Sequence, residues 1–424
     1  MPPLAVLAAS ADDACAYDSA KRALLSIDAS ISRAVSWASP ITDVDLLPLG
    51  RAGGRVLARA VQARLSSPAF DRSAMDGYAV RAGDGLEAGV RLSVMGRIAA
   101  GARGTRLGKA EAARIFTGAP IPPGADAVVM QEDVRREAGA ILLDRPLRAG
   151  ANVRRAGEDV VFGDRLAAAG VRIDARLIAL LAAQGVDTVV TRRRPRVAVL
   201  STGDELAEAG APLAPAAIYD VNRPMLLALI EAAGCETVDA GIIRDDPREQ
   251  AGRLAALAES CDLVVTSGGA SVGEEDHAGH ALRLAGGDGE ALAMALKPGK
   301  PALVGRIGAA AVLGLPGNPL SALVVFMLLG RAMLARLGGG APSRPVGLPV
   351  PLAEPLARKP GRTEFVPARL VSGDHGPRLA LLSSNSARLR PLVEADGLAE
   401  IPADVARAAP GVPVAYHAFS GLLG

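Results

Sequence analysis

The sequence predicts a multidomain protein of the α/β plus β class, with a parallel sheet flanked by helices in the second half of the chain. Its 424 residues are enough for two to four domains of about 100–200 residues each. After residue 196, apolar runs of four or five residues alternate with helical stretches, which is typical of a parallel sheet covered on both faces. The flanking regions are rich in Gly, Pro and short β-type runs, which indicates separate all-β parts.

The first half of the chain mixes helical and β-type patterns. An amphipathic pattern over 19–35 predicts a helix, with Asp18 or Ser19 placed to cap its start. Residues 64 to about 156 predict a small all-β insertion, whose clearest strands are 127–130 and 141–143.

A second helix and a junction follow the insertion. Asp174 is placed to cap a helix that runs through Gln184, and Gly185 is placed to end it. Residues 188–191 are strand-like, and the basic run 192–196 indicates a domain junction more than an anion site.

The second half predicts four strands, each followed by a loop and a helix. One segment, 307–330, carries no charged side chain, but Pro and Gly at its middle would break a membrane-spanning helix. We therefore interpret it as a buried strand, a tight loop and a buried helix. From about residue 338 short strands return, and a small β-barrel or sandwich is expected there. The four strands are 197–200, 237–243, 262–265 and 311–315.

Composition excludes several classes of function. The net charge of +2 gives no electrostatic reason to expect a polyanion, and 3% aromatic residues leave little with which to stack bases. We therefore expect no nucleic-acid partner. The N-terminus lacks a basic region before its apolar residues, so neither a signal peptide nor a membrane role is expected. Three widely spaced cysteines fit a reducing cytosol, and we expect a cytoplasmic protein.

Gly-rich loops at the predicted strand ends are candidates for binding an anion. In a parallel sheet these loops meet at the carboxyl edge, where free N–H groups favour negative charge. The loop 266–273, TSGGASVG, would close its backbone around an oxyanion, and 316–319, PGNP, would form a second cradle. Neither matches the Walker or the dinucleotide pattern. The alternative is that they are turns and caps, since Ser271 to Glu274, like Ser201 to Asp204 and Thr202 to Glu205, has capping-box spacing.

Carboxylates and lysines accompany these loops. Carboxylates at strand ends can hold Mg²⁺, which prefers oxygen ligands, or can serve as anions at helix N-termini, as we expect for Asp246 and Glu274. The turn 297–301, KPGKP, supplies two ammonium groups for a phosphate or another oxyanion. Together these features suggest chemistry on a phosphorylated, anionic small molecule. The acidic set is Glu205, Asp245, Asp246, Glu274, Glu275 and Asp276.

A series of long motifs resembles the molybdopterin molybdenumtransferases, the molybdenum insertase (MoeA) family that includes the gephyrin E domain. The resemblance extends from about residue 18 to the C-terminus and is weakest after residue 340. The motifs are SAMDGYAV (73–80), TGAPIPPGADAVVMQED (117–133), RRAGEDV (154–160), STGDEL (201–206), IIRDDP (242–247), SGGASVGEED (267–276), KPGKP (297–301) and LPGNP (315–319).

The resemblance implies a homodimer of four-domain subunits. A discontinuous helical domain (18–63 and 157–192) would carry an inserted β domain (64–156), followed by an α/β molybdopterin-binding domain (193–340) and a C-terminal β-barrel (341–424). It also implies that adenylylated molybdopterin and molybdate are converted, with Mg²⁺, into molybdenum cofactor and AMP. Hand-over partners would be a molybdopterin adenylyltransferase and the receiving molybdoenzymes.

The resemblance also implies roles for individual residues. Asp76, Thr117 and Asp159 would meet the α/β domain of the second subunit, and Asp245 with Asp276 would hold Mg²⁺. The alternative for Asp76 is an Asp-Gly turn, and for Thr117 a backbone cap. The catalytic positions are Asp76, Thr117, Asp159, Glu205, Asp276, Lys297 and Lys300. The pterin and molybdate cradle is Thr202, Gly203, Ser267, Gly268, Gly269, Ser271, Pro298, Gly317, Asn318 and Pro319.

Two departures from the family pattern leave other functions open. Ala293 stands where the family usually has a Lys or Arg, and a missing cation near the anhydride would weaken stabilisation of the transition state. The usual Gly-Ser motif of the barrel is replaced around Ser386, where Arg388 or Arg390 could restore positive charge. The alternatives are a catalytically weak pterin-binding or scaffold protein and a molybdopterin adenylyltransferase. Sequence does not distinguish molybdate from tungstate, which have the same charge and shape.

Overall fold

The computed structural model describes residues 24–83, 85–268 and 277–422. The chain divides into two compact units, one of residues 44–191 and one that combines the residues up to 43 with those from 192 onward.

The first helix, α1, covers Ile27–Ser36 and belongs to the second of these units. Ser26 caps it, accepting a hydrogen bond from the N–H of Ala29 at 3.2 Å. The predicted caps Asp18 and Ser19 lie outside the described residues. The assignment of this helix to the domain of residues 18–63 and 157–192 is wrong, because its apolar face, Ile27, Ile31 and Ala34, packs in the core of the α/β sheet.

Strands are the main regular secondary structure of residues 44–191. They are β1 Val44–Pro48, β2 Val61–Gln62, β3 Arg72–Ser73, β4 Gly77–Val80, β5 Arg91–Ile98, β6 Glu111–Ile115, β7 Ala127–Met130, β8 Val134–Glu137, β9 Ala140–Leu143, β10 Val153–Arg154, β11 Arg165–Ala167 and β12 Thr188–Arg192. The predicted strands 127–130 and 141–143 are confirmed. A six-stranded sheet in the order β7-β4-β6-β5-β9-β8 forms the main layer, and all its pairs are antiparallel except β5 with β6.

Helix α2, Ala175–Ala183, begins and ends as the sequence predicts. The Asp174 carboxylate accepts from the N–H of Leu177 at 2.8 Å, and Gly185 follows the last turn with φ +67°. The predicted strand at 188–191 is confirmed as β12. The basic run begins where the two units divide, and Arg193 binds both carboxylate oxygens of Asp262 at 2.9 Å.

The α/β region contains these elements: β13 Arg196–Thr202, β14 Leu206–Ala207, β15 Ile218–Tyr219, α3 Asn222–Ala232, β16 Glu236–Ile243, α4 Pro247–Ala258, β17 Leu263–Ser267, α5 His277–Leu284, β18 Asp288–Ala293, β19 Leu296–Lys297, β20 Pro301–Ile307, β21 Ala310–Leu315, α6 Pro319–Val325 and α7 Arg331–Leu337. Six of the strands form a sheet in the order β16-β13-β17-β21-β20-β18. Alternate residues of β13 lie in different cores. Val197 and Val199 pack with α1, α3 and the helices after β21, whereas Ala198 and Leu200 pack with α4 and α5.

Two features of this region correct the sequence prediction. The sheet is mixed, because β20 runs antiparallel to β21 and β18 antiparallel to β20. No helix follows β13 directly, since the chain passes from Thr202 into the short strand β14. The capping boxes at Ser201 and Thr202 are therefore wrong, and the one at Ser271 lies outside the described residues.

The uncharged segment 307–330 forms a buried strand, a tight loop and a buried helix, as predicted. Helix α6, a π-helical turn at Phe326–Gly330 and α7 make one continuous helix, Pro319–Leu337. This helix is long and apolar enough to cross a membrane, but 83% of its most apolar window is buried inside the fold. It is therefore a core helix of this unit.

The C-terminal region contains these elements: β22 Leu348–Pro351, β23 Leu356–Ala357, β24 Thr363–Gly373, β25 Gly376–Leu381, α8 Arg390–Glu394, β26 Gly397–Ile401, β27 Arg407–Ala408, β28 Pro413–Ala418 and α9 Phe419–Leu422. Its main sheet has the order β19-β24-β26-β28-β22, and β25 pairs with β24. A single bridge joins Leu352, which follows β22, to Leu379 of β25. The five strands β25, β24, β26, β28 and β22 therefore form a ring around a small apolar core.

Candidate functional site

The carboxyl ends of three parallel strands bring the predicted cradle residues together. Ser201 of β13 pairs with Ser267 of β17, and Ser267 pairs with Leu315 of β21. Gly268 follows with φ +98°, and a Cβ atom there would lie 2.3 Å from the Thr202 carbonyl oxygen. Only glycine fits such a close approach at this φ. Thr202, Ser267 and Gly268 therefore form one edge, whereas Gly269 and Ser271 lie outside the described residues.

Asn222, which the sequence analysis missed, links this edge to the second cradle. Its Nδ2 donates to Ser267 Oγ at 2.8 Å and to the Gly317 carbonyl oxygen at 2.6 Å. Gly317 and Asn318 are exposed, while Pro319 is buried as the first residue of α6. The signal was available as two polar residues, Asp220 and Asn222, before an apolar helix, but their partners are remote in sequence.

Several buried polar atoms at this edge have no partner within 24–83, 85–268 and 277–422. They are Ser201 Oγ, Thr202 Oγ1, Thr266 Oγ1 and Asn222 Oδ1. A small cavity beside Thr202, Thr266 and Gly268 holds about 10 Å³, roughly the room that one water molecule needs. Because an unpaired buried polar group costs about 1–3 kcal/mol, this arrangement is typical of a site that a ligand or water completes.

Arg223 locks the start of α3 beneath the cradle. It is 8% exposed and binds Asp220 at 3.1 Å, and it also contacts the carboxylates of Asp239 and Glu208. Burial lowers the pKa of this guanidinium, but the hydrogen bonds that it donates to Asp239 and Asp220 outweigh burial, so the pKa is raised. Arg223 therefore stays charged and paired at the start of α3.

Glu205 and Asp245, two of the predicted acidic residues, lie at the same edge, near the ends of β13 and β16. The Glu205 carboxylate lies over Gly203, where an added Cβ would meet its Oε2 at 2.6 Å. Asp245 accepts from Gln250 Nε2 at 3.3 Å, and its N–H donates to Asp204 Oδ1 at 3.4 Å. Carboxylate oxygens suit Mg²⁺. The described part of the chain has no cluster of three or more His, Cys, Asp or Glu arranged for a metal, and Asp276 lies outside it.

Asp246 and its neighbours show that one carboxylate serves the helix. Asp246 caps α4, accepting from the N–H groups of Arg248 at 2.9 Å and Glu249 at 2.8 Å. These bonds, that of Glu249 above all, lower the pKa of Asp246. The expectation that Asp246 is a helix N-terminal anion is confirmed. Glu274 and Glu275 lie outside the described residues.

The KPGKP turn reaches the same edge because β20 runs in reverse. Leu303 of β20 pairs with Gly314 of β21, so the start of β20 lies beside the 316–319 turn. Lys300 is exposed, and Pro298 is buried. Lys297 forms an ion pair of 2.7 Å with Glu364, a buried residue of β24 that the sequence analysis missed.

A second cation lies close to the KPGKP turn. Arg362, from the C-terminal sheet, donates to the carbonyl oxygen of Leu296 at 3.4 Å. Parallel pairing of β19 with β24 brings these residues together, with Lys297 opposite Glu364. Arg362, which directly precedes β24, therefore adds a positive charge next to the turn.

Asp76 and Thr117 meet in the 44–191 unit. The Asp76 carboxylate accepts from the N–H of Thr117 at 2.8 Å and from its hydroxyl at 2.9 Å, and these two bonds lower the pKa of Asp76. Arg114, also missed, stacks between Phe116 and Tyr78 at 4.9 and 5.2 Å from the ring centroids.

Asp159 also lies in this unit. Its N–H donates to the carbonyl oxygen of Ser67 at 3.1 Å. Among the described residues, no hydrogen bond joins its carboxylate to Asp76 or Thr117.

Comparison with known proteins identifies the family. Models described as the MoeA N-terminal region (domain I and II), a probable molybdopterin binding domain and the MoeA C-terminal region (domain IV) match residues 19–185, 198–336 and 349–419. A molybdopterin molybdenumtransferase of Haemophilus influenzae is 40% identical over 318 residues, covering 74% of this chain and 78% of that protein. The chain belongs to the molybdopterin molybdenumtransferase (MoeA) family.

Other members of the MoeA family agree over greater lengths. Molybdopterin molybdenumtransferase 2 of Mycobacterium tuberculosis is 39% identical over 386 residues, covering 88% of this chain and 93% of that protein. A crystal structure of a molybdopterin biosynthesis MoeA protein from Pyrococcus horikoshii matches with a TM-score of 0.78 at 27% identity, covering 93% of this chain and 100% of that one. The chain therefore has the multidomain MoeA fold, and molybdenum cofactor biosynthesis is the function of its family.

The two departures from the MoeA family pattern have defined surroundings. Ala293 ends β18, and its carbonyl oxygen accepts from the N–H of Leu25 at 2.8 Å. The carbonyl oxygen of Ser386 accepts from the N–H of Leu320 at 3.1 Å, which places this segment beside the start of α6. Arg390 forms an ion pair with Glu394 at 2.6 Å, so its charge is engaged on α8. Arg388 is exposed.

Proposed function

We propose that this chain is a molybdopterin molybdenumtransferase that inserts molybdate into adenylylated molybdopterin and releases AMP. The observation that carries the proposal is the convergence, at one sheet edge, of the Ser267–Gly268 loop, the 316–319 turn and the KPGKP lysines. Close backbone approach, hydroxyl groups and ammonium groups together suit a ligand rich in phosphate and oxyanion oxygens.

The residues of this edge would divide the work. The Ser267 hydroxyl, with the backbone of Gly268 and Gly317, would hold the pterin and its acceptor oxygens. Lys297 and Lys300 would face the charge that develops as the phosphoanhydride bond breaks and AMP leaves. Asp245 and Asp276 would hold Mg²⁺, which would supply charge neutralisation at the anhydride when bound.

We further propose that the protein works as a homodimer in which the Asp76–Thr117 pair and Asp159 of one subunit meet the α/β region of the other. Exposed apolar side chains on the 44–191 unit, with Val161 54% and Phe162 71% exposed, support an interface there. Within each subunit we propose the inserted β domain, the α/β domain and the closed C-terminal barrel that the family pattern implies. A cytoplasmic location, and hand-over to and from a molybdopterin adenylyltransferase and molybdoenzymes, belong to the same proposal.

Release of AMP tests the reaction. Purified protein given adenylylated molybdopterin, molybdate and Mg²⁺ should release AMP, and Asp276→Asn should reduce this release without changing the thermal unfolding midpoint. No AMP release under conditions where a related insertase is active would exclude the enzyme. An assay of ATP-dependent adenylylation of molybdopterin separates the adenylyltransferase alternative.

Complementation tests the shared site. Asp76→Asn and Lys300→Ala would each inactivate the protein, but subunits mixed after dissociation would form heterodimers with one intact site. About a quarter of wild-type AMP release is then expected, because half of the dimers are mixed and each has one of two sites. Activity that stays at the level of the separate variants would contradict a site built from two subunits.

Ala293 motivates a second candidate, a binding or scaffold protein with weak chemistry. Ala293→Lys would add a cation four residues before Lys297. Tight pterin binding without AMP release, unchanged in this variant, would favour the second candidate. Substantial AMP release by the wild-type protein would exclude it.

A further inference from the structure

Asn222 connects two loops that are far apart in sequence. It is the first residue of α3 and only 6% exposed. Its amide reaches Ser267, at the end of β17, and Gly317, in the turn before α6. Both contacts lie on the cradle of the proposed function, on which this inference rests.

The orientation of the amide follows from its partners. The Gly317 carbonyl oxygen can only accept a hydrogen bond, so the Nδ2 group, the donor side of the amide, must face it. The same Nδ2 group then gives its second hydrogen to Ser267 Oγ at 2.8 Å. Both hydrogens of the amide nitrogen are therefore used.

This bond fixes the direction of the Ser267 hydroxyl. A serine oxygen that accepts from Asn222 keeps its own hydrogen for another acceptor. Among the described residues, that hydrogen has no acceptor. Ser267 is thereby set as a donor toward whatever occupies the cradle.

The hydrogen bond from Asn222 to Gly317 likewise orients a donor in the 316–319 turn. In a trans peptide the carbonyl and the following N–H point in opposite directions. Because the Gly317 carbonyl points to Asn222, the N–H of Asn318 points away from it, on a turn where both residues are exposed. Within 24–83, 85–268 and 277–422 this N–H has no hydrogen-bond partner.

The start of α3 holds Asn222 in this position. The Asp220 carboxylate accepts from the N–H groups of Asn222 at 3.1 Å and of Arg223 at 3.2 Å, and the Arg223 side chain grips the same carboxylate. These bonds hold the backbone from which the Asn222 side chain extends.

We propose that Asn222 is a positioning residue that sets the polarity of the cradle: it turns the Ser267 O–H and the Asn318 N–H outward as donors for acceptor atoms of the molybdopterin ligand. The alternative is that Asn222 is a structural tether that only fills its buried space.

Binding of metal-free molybdopterin, measured by equilibrium ultrafiltration with fluorescence detection of the oxidised pterin, tests the proposal. Asn222→Ala should weaken binding about tenfold or more, the loss of roughly one oriented hydrogen bond. Asn222→Asp should weaken it at least as much, because its carboxylate repels the Gly317 carbonyl and recruits the Ser267 hydrogen. A space-filling tether would instead make Asn222→Asp the milder change, since it has nearly the same volume.

A double-mutant cycle makes the test specific. Ser267→Ala alone should weaken binding no more than Asn222→Ala, because Asn222 also orients the Asn318 N–H. The double variant should lose little more than Asn222→Ala alone, because the contribution of Ser267 depends on Asn222. Losses that multiply would overturn the proposal. Asn222→Asp, which keeps the side-chain volume, keeps the test valid if Asn222→Ala does not fold.

The matched control is Asp262→Asn, at the opposite end of β17. Asp262 holds Arg193 and the N–H of Arg196, so its loss should lower the unfolding midpoint but leave pterin affinity within about twofold. If the wild-type protein binds molybdopterin and Asn222→Ala binds it with the same affinity, the inference is refuted and the proposed function is unaffected. Absence of binding by the wild-type protein would refute both.

Discussion

The ion pair of Glu364 predicts unequal costs for removing its two ends. The Glu364 side chain is 5% exposed and lies 2.7 Å from Lys297 and 3.4 Å from Arg358. The Lys297 side chain is 46% exposed, whereas that of Arg358 is 7% exposed. Removing the carboxylate leaves a buried guanidinium without a counter-charge, but removing Lys297 leaves Glu364 paired with Arg358.

The magnitudes follow from burial. Breaking a buried ion pair costs about 3–5 kcal/mol. Arg358 keeps carbonyl acceptors on Arg362 and Pro402, so Glu364→Ala should cost about 3 kcal/mol, the low end of that range. Lys297→Met removes a half-exposed partner, for which about 0–1 kcal/mol is usual.

Urea unfolding followed by circular dichroism measures both losses. Lys300→Met, an exposed lysine of the same turn, is the matched control and should leave the unfolding midpoint unchanged. The reasoning is refuted if Lys297→Met destabilises the protein as much as Glu364→Ala, or if Glu364→Ala stays within about 1 kcal/mol of wild type.

Three further predictions concern the cradle, the paired carboxylate and the acid stability. Gly268→Ala should destabilise the protein in urea by about 1–3 kcal/mol more than Gly210→Ala. Both glycines have positive φ, but only at Gly268 would the added Cβ atom lie 2.3 Å from a backbone oxygen, so equal losses would contradict the close approach. Thr117→Val should raise the pKa of Asp76 by carbon-detected NMR titration, because it removes a hydrogen bond to the charged carboxylate; a fall would count against that bond. Burial raises the pKa of Glu400, but the hydrogen bond with His417 and the charge of Arg344 outweigh burial, so this pKa is lowered. The contribution of Glu400 to stability is therefore fully present above pH 4.5, its usual pKa, and is lost as the pH falls through the lower pKa of the folded state. Glu400→Gln should flatten the acid-side slope of the free energy of unfolding against pH, and a slope unchanged in the variant would count against this reasoning.

Sequence predicted the parallel strands well, because buried strands are short apolar runs whose pattern depends on local residues alone. It also predicted that Ser267, Gly268 and Lys300 lie at one edge of the sheet, where the structure brings them together. The sequence did not predict the direction of every strand, because nothing in the apolar pattern of 301–307 distinguishes a parallel strand from an antiparallel one. The amphipathic pattern of α1 likewise shows that one face is buried but not which core receives it.

Remote partners explain the residues that the sequence analysis missed. Asn222 is 45 and 95 residues from Ser267 and Gly317, and neither spacing leaves a periodic signal. Glu364 lies near the start of the eleven-residue strand β24, where a lone carboxylate gives no indication that Lys297 is its partner. The Lys297–Glu364 contact depends on the register of β19 with β24, and the contacts of Asn222 depend on where α3 packs against the sheet. Neither arrangement is encoded in any one segment of the sequence.

The junction between the two units has a consequence for how such a chain can be assembled. Strands β1 and β12, the first and last of the 44–191 unit, pair with each other, and the N–H of Arg193 donates to the Asp43 carbonyl oxygen at 3.0 Å. The two points where the chain leaves and rejoins the α/β core are thus one hydrogen bond apart. A short turn could join Asp43 to Arg193, so deletion or replacement of the 44–191 unit would require only a short new connection in the α/β core.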